Sequence, residues 1–373
     1  MNICILKEKR EDEKRTALIP QDIIKLKKKF PDWIFYIEPS SNRIVQNKEY
    51  YNVGCKKYAS QKIDLFISVK EVSIRKIKKN QNYLMFSHTI KGQKQNLSLL
   101  KKILDNDCSL IDYELFKTKE GNRIIGFGWH AGVVGCYLTL SKKLKIKNIL
   151  NQKPTINDLI SQIKKYQLND LKILVTGDGQ ASKGAQYFLK NIGLSNKSSK
   201  NKSYFNSFYQ IIPPNKFYKR MDKKYNLNDL LKGKGVYESI FDRYLGKYNI
   251  LLACHFWNEN FPKLFNVKEI DENFFEIIGD ITCDINGSIP TTIKSTNLKS
   301  PYYKNQNVTI MAVDNLPSAL PLETSKYFSN RLLKLLPKII KSLNQDTIEE
   351  YFISKKGYLN YRYLNLLNYL IDG

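Results

Sequence analysis

A glycine-rich loop in the middle of the chain most constrains how the chain folds. The loop runs from Gly177 to Gly184 and reads G-D-G-Q-A-S-K-G; only Thr176 separates it from the apolar run Ile173 to Val175. A short apolar strand, a tight glycine turn and the start of a helix are typical of a nucleotide-binding β-α unit. In such a unit, backbone N–H groups and the helix N-terminus face a pyrophosphate. The segment before the loop is long enough to form a separate first domain.

The loop departs from the usual G-x-G-x-x-G pattern. Ser182 stands at the third glycine position, and Gly184 follows two residues later. An acidic residue is expected about 20 residues beyond the first glycine, where it binds the adenosine ribose. The corresponding stretch, Asn196 to Lys200, has no acidic residue. Taken alone, the loop is equally compatible with a cofactor site and with an ordinary strand-to-helix turn.

Length and hydropathy favour a folded protein of two domains. The chain has 373 residues, of which 42% are hydrophobic, enough for packed cores. It has no uninterrupted apolar run of about 20 residues, so we predict no transmembrane helix. Its first residues carry charges where a signal peptide needs an apolar stretch. We therefore expect a soluble, cytoplasmic protein without a membrane partner.

The chain is strongly basic, with 61 Lys and Arg against 35 Asp and Glu. Such a balance is typical of proteins that bind nucleic acid, but the lysines are dispersed and no recognition motif accompanies them. We therefore predict no specific nucleic-acid partner. We attribute the charge to a bias toward A/T-rich codons, which include those of lysine. The six cysteines include no C-x-x-C pair, which excludes the usual zinc patterns, so we predict buried thiols and no metal.

Apolar runs of strand length alternate with helical patterns along the chain. The predicted strands are 3–6, 34–37, 65–69, 83–86, 110–113, 172–176, 249–253, 276–281 and 308–313, and the predicted helices include 20–30, 97–104, 131–144 and a segment from 322. This alternation predicts an α/β fold with mostly parallel sheets. The helical segment after 322 is expected to return to the first domain.

Two of the predicted strands end in residues suited to acid-base chemistry. Lys70 and Glu71 follow the run that ends at Val69, and His88 follows the next run. Each residue by itself is more typical of a structural role. Because parallel strands place their carboxyl ends at one edge of the sheet, however, we expect these residues to converge. A lysine and an imidazole there form a workable acid-base pair.

For other polar residues, the sequence context does not separate a functional role from a structural one. The guanidinium of Arg15, after the first strand, suits bidentate capture of a carboxylate, although a solvated charge cluster explains it equally well. Asp112 and Glu114 follow another strand and are candidates for orienting the basic residues. We expect His130 and His255 to be structural or to lie beside a cofactor.

At these residues the sequence resembles the lysine-forming saccharopine dehydrogenases, within the wider alanine dehydrogenase and transhydrogenase group. It is similar in particular to the bacterial, Bacteroidetes-type branch. The landmarks extend over nearly the whole length, and they are 14–20 (KRTALIP), 69–72 (VKEV), 86–93 (FSHTIKGQ), 112–114 (DYE), 121–123 (GNR), 127–128 with 131–132, and 314–321 (DNLPSALP).

The resemblance implies two Rossmann-like domains with parallel sheets, separated by an active-site cleft. Residues 1–129 plus 320–373 would form the substrate domain, and residues 130–319 the dinucleotide-binding domain. The implied reaction is NAD-dependent oxidative cleavage of saccharopine to L-lysine and 2-oxoglutarate, or its reverse. By resemblance, Lys70 and His88 are catalytic, and the substrate contacts are Arg15, Glu71, Lys91, Gln93, Glu114 and Arg123. The implied cofactor contacts are Gly177, Gly179, Gln180, Ala181, Ser182, Gly184, Cys254, Asp314 and Leu316.

The departures from the family concentrate in the cofactor half. Ala181 replaces a loop cysteine of the fungal enzymes, so Cys254 has no such partner. NAD is the expected cofactor. NADP is an alternative, because the loop at the second strand of the dinucleotide-binding domain is rich in Lys and Ser, which could favour the 2′-phosphate of NADP. Two rival functions stay open: an amino-acid oxidoreductase of the alanine dehydrogenase type, and a cofactor-binding remnant with little activity. The expected partner is a small amino-acid substrate, and the sequence does not distinguish a monomer from a homo-oligomer.

Overall fold

The computed structural model describes residues 1–90, 94–119, 121–197 and 206–371. The chain divides into two compact units. Unit 1 comprises Met1–Gly126 and Pro321–Gly373, and unit 2 comprises Phe127–Leu320.

The helices and strands alternate along the chain. The first part of unit 1 contains β1 (Asn2–Ile5), α1 (Pro20–Lys29), β2 (Ile34–Ile37), α2 (Asn47–Asn52), β3 (Lys56–Lys57), β4 (Leu65–Ile67), β5 (Asn82–Met85), α3 (Lys94–Asp105) and β6 (Ser109–Asp112). Unit 2 contains α4 (Gly128–Lys143), α5 (Ile156–Ile163), β7 (Lys172–Thr176), α6 (Gln180–Asn191), β8 (Ser195–Asn196), β9 (Phe208–Ile212), β10 (Tyr218–Arg220), α7 (Leu227–Leu231), β11 (Tyr237–Ser239), β12 (Ile250–Ala253), β13 (Ile277–Asp280), β14 (Tyr302–Asn305) and β15 (Val308–Met311). The chain then returns to unit 1 with α8 (Pro321–Leu343), β16 (Phe352–Lys355), β17 (Tyr358–Leu359) and α9 (Leu366–Ile371).

Unit 1 is built on a sheet that, over the described residues, has eight strands in the order β17-β16-β6-β5-β4-β1-β2-β3. The strands from β1 to β6 pair in parallel, and only the returning β16 and β17 are antiparallel. Every residue of β4 and β6 is buried. Strands buried on both faces require nearly continuous apolar runs, which is why these segments stand out in the sequence.

Unit 2 has a second, seven-stranded sheet in the order β14-β15-β13-β12-β7-β9-β8 over the described residues, with β14 as its antiparallel edge. Its central strand β7 sends Ile173 and Val175 into one core, where α4 and α6 pack. Leu174 points to the opposite face, into a cluster that includes Phe217 and Phe241. The predicted α/β class, with two domains and parallel-dominated sheets, is confirmed.

The strand order in unit 2 corrects one expectation. The spacing of the usual pattern places a ribose-binding acid at Asn196 to Lys200, the region of the strand that follows α6. That strand, β8, lies at the sheet edge, and β9 pairs with β7 instead. Residues 198–200 lie outside the described residues. The position next to the glycine loop is therefore the end of β9 at Ile212, followed by Pro213 and Pro214.

Neither a membrane span nor a metal cluster occurs in the part of the chain that the structure describes. No helix there is both long and apolar enough to cross a bilayer. No group of three or more His, Cys, Asp and Glu side chains there is arranged to hold a metal ion.

Candidate active site

The ends of β4 and β5 lie side by side in unit 1. The two strands are parallel neighbours with Ile67 opposite Leu84. Beyond the assigned strands, the N–H of Ser68 donates to the carbonyl of Leu84 at 3.1 Å, and the N–H of Phe86 donates to that of Val69 at 3.1 Å. The pairing thus continues to within two residues of Lys70 and His88. Both residues follow neighbouring strands at the same edge of the sheet.

Glu71 and His88 contact each other at this edge. Oε2 of Glu71 lies 3.3 Å from Nδ1 of His88, and the two side chains are 23% and 28% exposed. Desolvation raises the pKa of Glu71, but the His88 hydrogen bond, a backbone N–H and the charges of His88 and Lys70 outweigh it, so the net pKa is lowered. An ionised carboxylate only accepts hydrogen bonds, so Nδ1 is the donor in this contact and Nε2 is not engaged by it.

Asp112 holds the backbone directly before His88. Its carboxylate accepts from the N–H of Ser87 at 2.9 Å and from the Ser87 hydroxyl at 2.5 Å. It also accepts from the N–H of Glu114 at 2.7 Å. Burial, reinforced by the charge of Glu114, raises the pKa of Asp112 to about 6. His88 itself has φ 52°, in the left-handed region that non-glycine residues rarely adopt, so this anchoring stabilises an unusual backbone conformation.

Arg15 is buried and forms an ion pair with Glu13. Its side chain is 1% exposed, its Nε donates to Glu13 Oε1 at 2.7 Å, and its Nη2 contacts Glu13 Oε2. The backbone N–H of Arg15 donates to the same carboxylate at 3.0 Å. Part of the guanidinium is therefore already bound inside unit 1. The predicted contact with a substrate carboxylate stays a prediction.

The remaining predicted substrate residues fall into two groups. Arg123 donates from Nη2 to Glu114 Oε2 at 3.0 Å, which joins two of the predicted residues in one ion pair. Lys91 and Gln93 lie outside the described residues.

The glycine loop of unit 2 closely approaches the segment that follows β12. Gly177 has φ 86°, and a Cβ added to it would lie 2.7 Å from the Cα of His255. Its N–H donates to the carbonyl of Ile212 at 2.8 Å. Only glycine therefore fits this position without displacing backbone. Gly179, by contrast, begins α6 as its N-cap, and a Cβ there would meet nothing within 4 Å. The space beside Gly179 is thus open to an incoming group.

The missing third glycine has a structural explanation. Ser182 is fully buried within α6, and its hydroxyl lies 3.1 Å from the amide of Gln186. Gly184, two residues later, provides the close packing instead. A Cβ on Gly184 would overlap the carbonyl oxygen of Trp129, and one on Gly132 would overlap that of Ala181. The glycines at 132 and 184 bring α4 and α6 together.

His255 is buried behind the glycine loop. Its Nδ1 lies 2.7 Å from Thr176 Oγ1, which also accepts the N–H of Cys254 at 3.3 Å. Burial lowers the pKa of His255 to about 3, so the imidazole is neutral at ordinary pH. Within the described part of the chain, no hydrogen-bond partner reaches its Nε2. The structure gives His255 a supporting position beside the loop.

The other predicted cofactor residues differ in accessibility. Cys254 is 6% exposed, and burial raises the pKa of its thiol. Leu316 is 1% exposed and belongs to the core that α4 forms, so its side chain serves packing. Asp314 is exposed, and its N–H donates to the carbonyl of Thr296 at 3.3 Å. The cofactor roles of these residues stay predictions.

The sequence interpretation missed Glu8. This residue accepts hydrogen bonds from the backbone of the segment that carries Lys70. It lies about 60 residues before that segment, and an acidic residue in the charged stretch after β1 gives no local signal of such a contact.

Comparisons with known proteins agree with this architecture. The family model described as Alanine dehydrogenase/PNT, N-terminal domain, matches residues 4–134, and the model for its C-terminal domain matches residues 261–361. The glycine loop lies between these two ranges.

Curated relatives and solved structures are similar along most of the chain. An alpha-aminoadipic semialdehyde synthase of Arabidopsis thaliana is 26% identical over 388 residues, which cover 86% of this chain and 36% of the relative. This chain therefore spans well under half of that relative's length. A saccharopine dehydrogenase [NAD(+), L-lysine-forming] of Schizosaccharomyces pombe is 23% identical, covering 93% of this chain and 94% of the relative. In fold, the chain is similar to an L-alanine dehydrogenase (TM-score 0.66, 14% identity, 100% and 99% covered) and to a transhydrogenase from Sinorhizobium meliloti (TM-score 0.61, 13% identity, 96% and 98% covered).

Proposed function

The chain carries both domains of the alanine dehydrogenase/PNT family, and from this premise we propose that it is a nicotinamide-dinucleotide-dependent oxidoreductase of the saccharopine dehydrogenase type. The proposed reaction oxidises the secondary amine of saccharopine and hydrolyses the resulting imine to L-lysine and 2-oxoglutarate, or runs in reverse. The observation that carries the proposal is the pair of strand ends that present Lys70, Glu71 and His88, with Glu71 in contact with the imidazole. We place the chain in the Bacteroidetes-type branch on its sequence landmarks, and its location in the cytoplasm stays a prediction.

In the proposed mechanism, Lys70 and His88 share the proton transfers. A nicotinamide dinucleotide, when bound, would supply the acceptor for the hydride that leaves the carbon beside the amine nitrogen. Oxidation requires a base for the amine proton, and imine hydrolysis requires a base for water. His88 donates from Nδ1 to Glu71 and uses Nε2 toward the substrate. Lys70 supplies the second acid-base group at the same sheet edge.

Unit 2 is the proposed dinucleotide domain. The residues present fit a pyrophosphate, because Gly177 adopts a left-handed turn, the space beside Gly179 is open, and Gln180 and Ala181 begin a helix of twelve residues. The N-terminus of such a helix attracts an anion through its unpaired N–H groups and its dipole. We propose that these backbone groups hold the pyrophosphate.

The end of β9 bears on the choice between NAD and NADP. An acidic residue at the end of the strand next to the glycine loop binds the ribose hydroxyls of NAD and repels the 2′-phosphate of NADP. Here that strand ends at Ile212, Pro213 and Pro214, which carry no charge. We propose that the site accepts both cofactors, with no carboxylate at this position to exclude NADP.

Unit 1 is the proposed substrate domain. Saccharopine carries several carboxylates, and Arg15 and Arg123 are the described cations that we assign to them. Each already contacts a glutamate, Glu13 and Glu114 respectively. We propose that a substrate carboxylate shares these guanidinium groups with the resident glutamates. Lys91 and Gln93 complete the proposed set.

The acid-base pair predicts specific losses on substitution. Lys70→Met and His88→Gln should each lower kcat by about 10²–10⁴-fold, because each removes one positioned proton-transfer group. NADH binding, followed by fluorescence titration, should change little, because both residues belong to unit 1. Lys79→Met serves as a control, since it removes an exposed lysine that pairs with Asp107. Full activity of both variants at their own pH optima would contradict the assignment.

Substrate assays separate this function from its rivals. Purified protein is incubated with saccharopine or with alanine, each with NAD⁺ and with NADP⁺, and reduction is followed by absorbance. We expect turnover of saccharopine with both cofactors. Turnover of alanine alone would instead identify an amino-acid dehydrogenase of the alanine type. Absence of NADH binding at millimolar concentration would identify a remnant that has lost cofactor binding.

A further inference from the structure

Glu8 uses both carboxylate oxygens to bind the backbone that carries Lys70. Oε1 accepts from the N–H of Val69 at 2.7 Å, and Oε2 accepts from the N–H of Lys70 at 2.9 Å. The carbonyl of Lys70 in turn accepts from the hydroxyl of Ser68 at 2.7 Å. The peptide groups on both sides of Lys70 are therefore held by side chains.

The Glu8 contact begins where the backbone pairing of β1 with β4 ends. β1 and β4 pair in parallel up to Ile5 and Ile67, and the N–H of Leu6 still donates to the carbonyl of Ile67 at 2.9 Å. Beyond this point, the carboxylate of Glu8 accepts from the β4 segment in place of a backbone carbonyl. The segment thus stays ordered after its neighbouring strand has turned away.

We propose that Glu8 is a positioning residue for the acid-base pair: its carboxylate fixes the Val69–Lys70 backbone and thereby the placement of the Lys70 and Glu71 side chains. This inference rests on the function proposed above. Glu71 follows Lys70 directly and contacts His88 at 3.3 Å. Displacement of the segment would therefore move one member of the pair and the hydrogen-bond partner of the other.

The surroundings of Glu8 are charged and partly desolvated. Desolvation and the nearby charge of Glu13 raise its pKa to about 8, against the opposing effects of its two backbone donors and Arg15. Tyr113 and Arg43 also interact with it electrostatically. Loss of its charge weakens both bonds to the backbone, since charge-assisted hydrogen bonds are about twice as strong as neutral ones.

The test compares Glu8→Gln with a matched control, Glu38→Gln. Glu38 also accepts a backbone N–H, that of Lys7 at 3.0 Å, and both its oxygens accept from Lys76 Nζ at 2.7 Å. The N–H groups of Val69 and Lys70 donate to Glu8 instead. In Glu8→Gln, an amide NH₂ faces one of the two N–H donors, so one bond is lost. Measured above the Glu8 pKa of about 8, where the carboxylate is ionised, kcat should fall by about 10–100-fold, because small misplacements of reacting groups are costly. The NADH dissociation constant should stay within about twofold, and Glu38→Gln should keep a wild-type kcat.

Backbone NMR provides a readout that does not depend on turnover. The amide proton resonances of Val69 and Lys70 should move together as the pH passes through the Glu8 pKa near 8, since both donate to this carboxylate. The movement should vanish in Glu8→Gln and persist in Glu38→Gln. The wild-type titration decides this point even if the variant does not fold.

The outcomes distinguish the two proposals. A wild type that turns over neither saccharopine nor alanine contradicts the proposed function, and the NMR titration still tests the anchoring. An active wild type with an equally active Glu8→Gln overturns the positioning role. The role is also overturned if the resonances of Val69 and Lys70 do not respond to pH together.

Discussion

Arg15 is a buried residue whose predicted binding role is coupled to the stability of the fold. The guanidinium and the Glu13 carboxylate are both enclosed, with side chains about 1% exposed or less. A buried pair gains its Coulomb energy only while both partners are present, and a single remaining charge is left without compensation. Substitution of Arg15 alone would therefore combine a folding defect with any binding defect.

A paired substitution separates these two effects. Arg15→Met should lower the free energy of unfolding of unit 1 by about 3–5 kcal/mol, because it leaves Glu13 charged and buried. Arg15→Met combined with Glu13→Gln should recover most of this loss, as measured by denaturant unfolding. If Arg15 also binds a substrate carboxylate, KM for saccharopine should stay raised by about tenfold or more in the double variant. A double variant with wild-type KM would restrict Arg15 to the ion pair.

Among the elements, the crossing of α4 and α6 decides how the glycine loop is presented. Both helices approach through glycine, with Gly132 against the Ala181 carbonyl and Gly184 against the Trp129 carbonyl. The helix that begins at the loop is therefore supported by direct backbone contact. This packing replaces the close approach that the third glycine of the usual pattern provides.

Glycine substitutions in α6 should separate packing from cofactor binding. Gly184→Ala should destabilise the α4–α6 pair by about 1–3 kcal/mol or more, because its Cβ has no space, and hydrogen exchange of the α6 amides measures the loss. Gly179→Ala should leave this protection nearly unchanged, since its Cβ meets nothing within 4 Å. The same substitution should weaken NADH binding if a pyrophosphate approaches the Gly179 backbone. Equal loss of protection in both variants would contradict this division of roles.

For the whole molecule, the dominant electrostatic property is the formal net charge of +26. Dispersed lysines attract any polyanion, without a motif that reads its sequence. The charge therefore predicts weak binding to nucleic acid as a side effect of composition.

Salt dependence tests this interpretation. Two labelled DNA duplexes of different sequence should bind with similar, weak affinity at about 50 mM salt and lose most of it by about 200 mM. Fluorescence anisotropy measures both affinities. The Glu38→Gln variant, whose formal net charge differs from that of the wild type by one unit, serves as a reference for small charge changes. An affinity that persists at the higher salt and differs between the duplexes would reveal specific recognition.

The parts of the site that depend on consecutive residues were predictable from the sequence. The apolar runs before Lys70 and His88 predicted two strands, and the rule for parallel strand ends predicted that these residues lie at one edge. The glycine spacing predicted the turn after β7. Glu8 and Gly132 were not predictable in this way, because their partners lie about 60 and about 50 residues away in sequence and only the folded chain brings them together.

The sequence by itself determined the strands, the glycine turn and the residues at the strand ends, because burial on both faces and left-handed turns impose requirements on consecutive residues. Tertiary structure alone decided that β9 rather than β8 lies beside the glycine loop. It also decided that Arg15 is enclosed with Glu13 and that Glu8 holds the backbone of Lys70. These outcomes depend on which distant segments pack together, and packing is a property of the whole fold that no local pattern encodes.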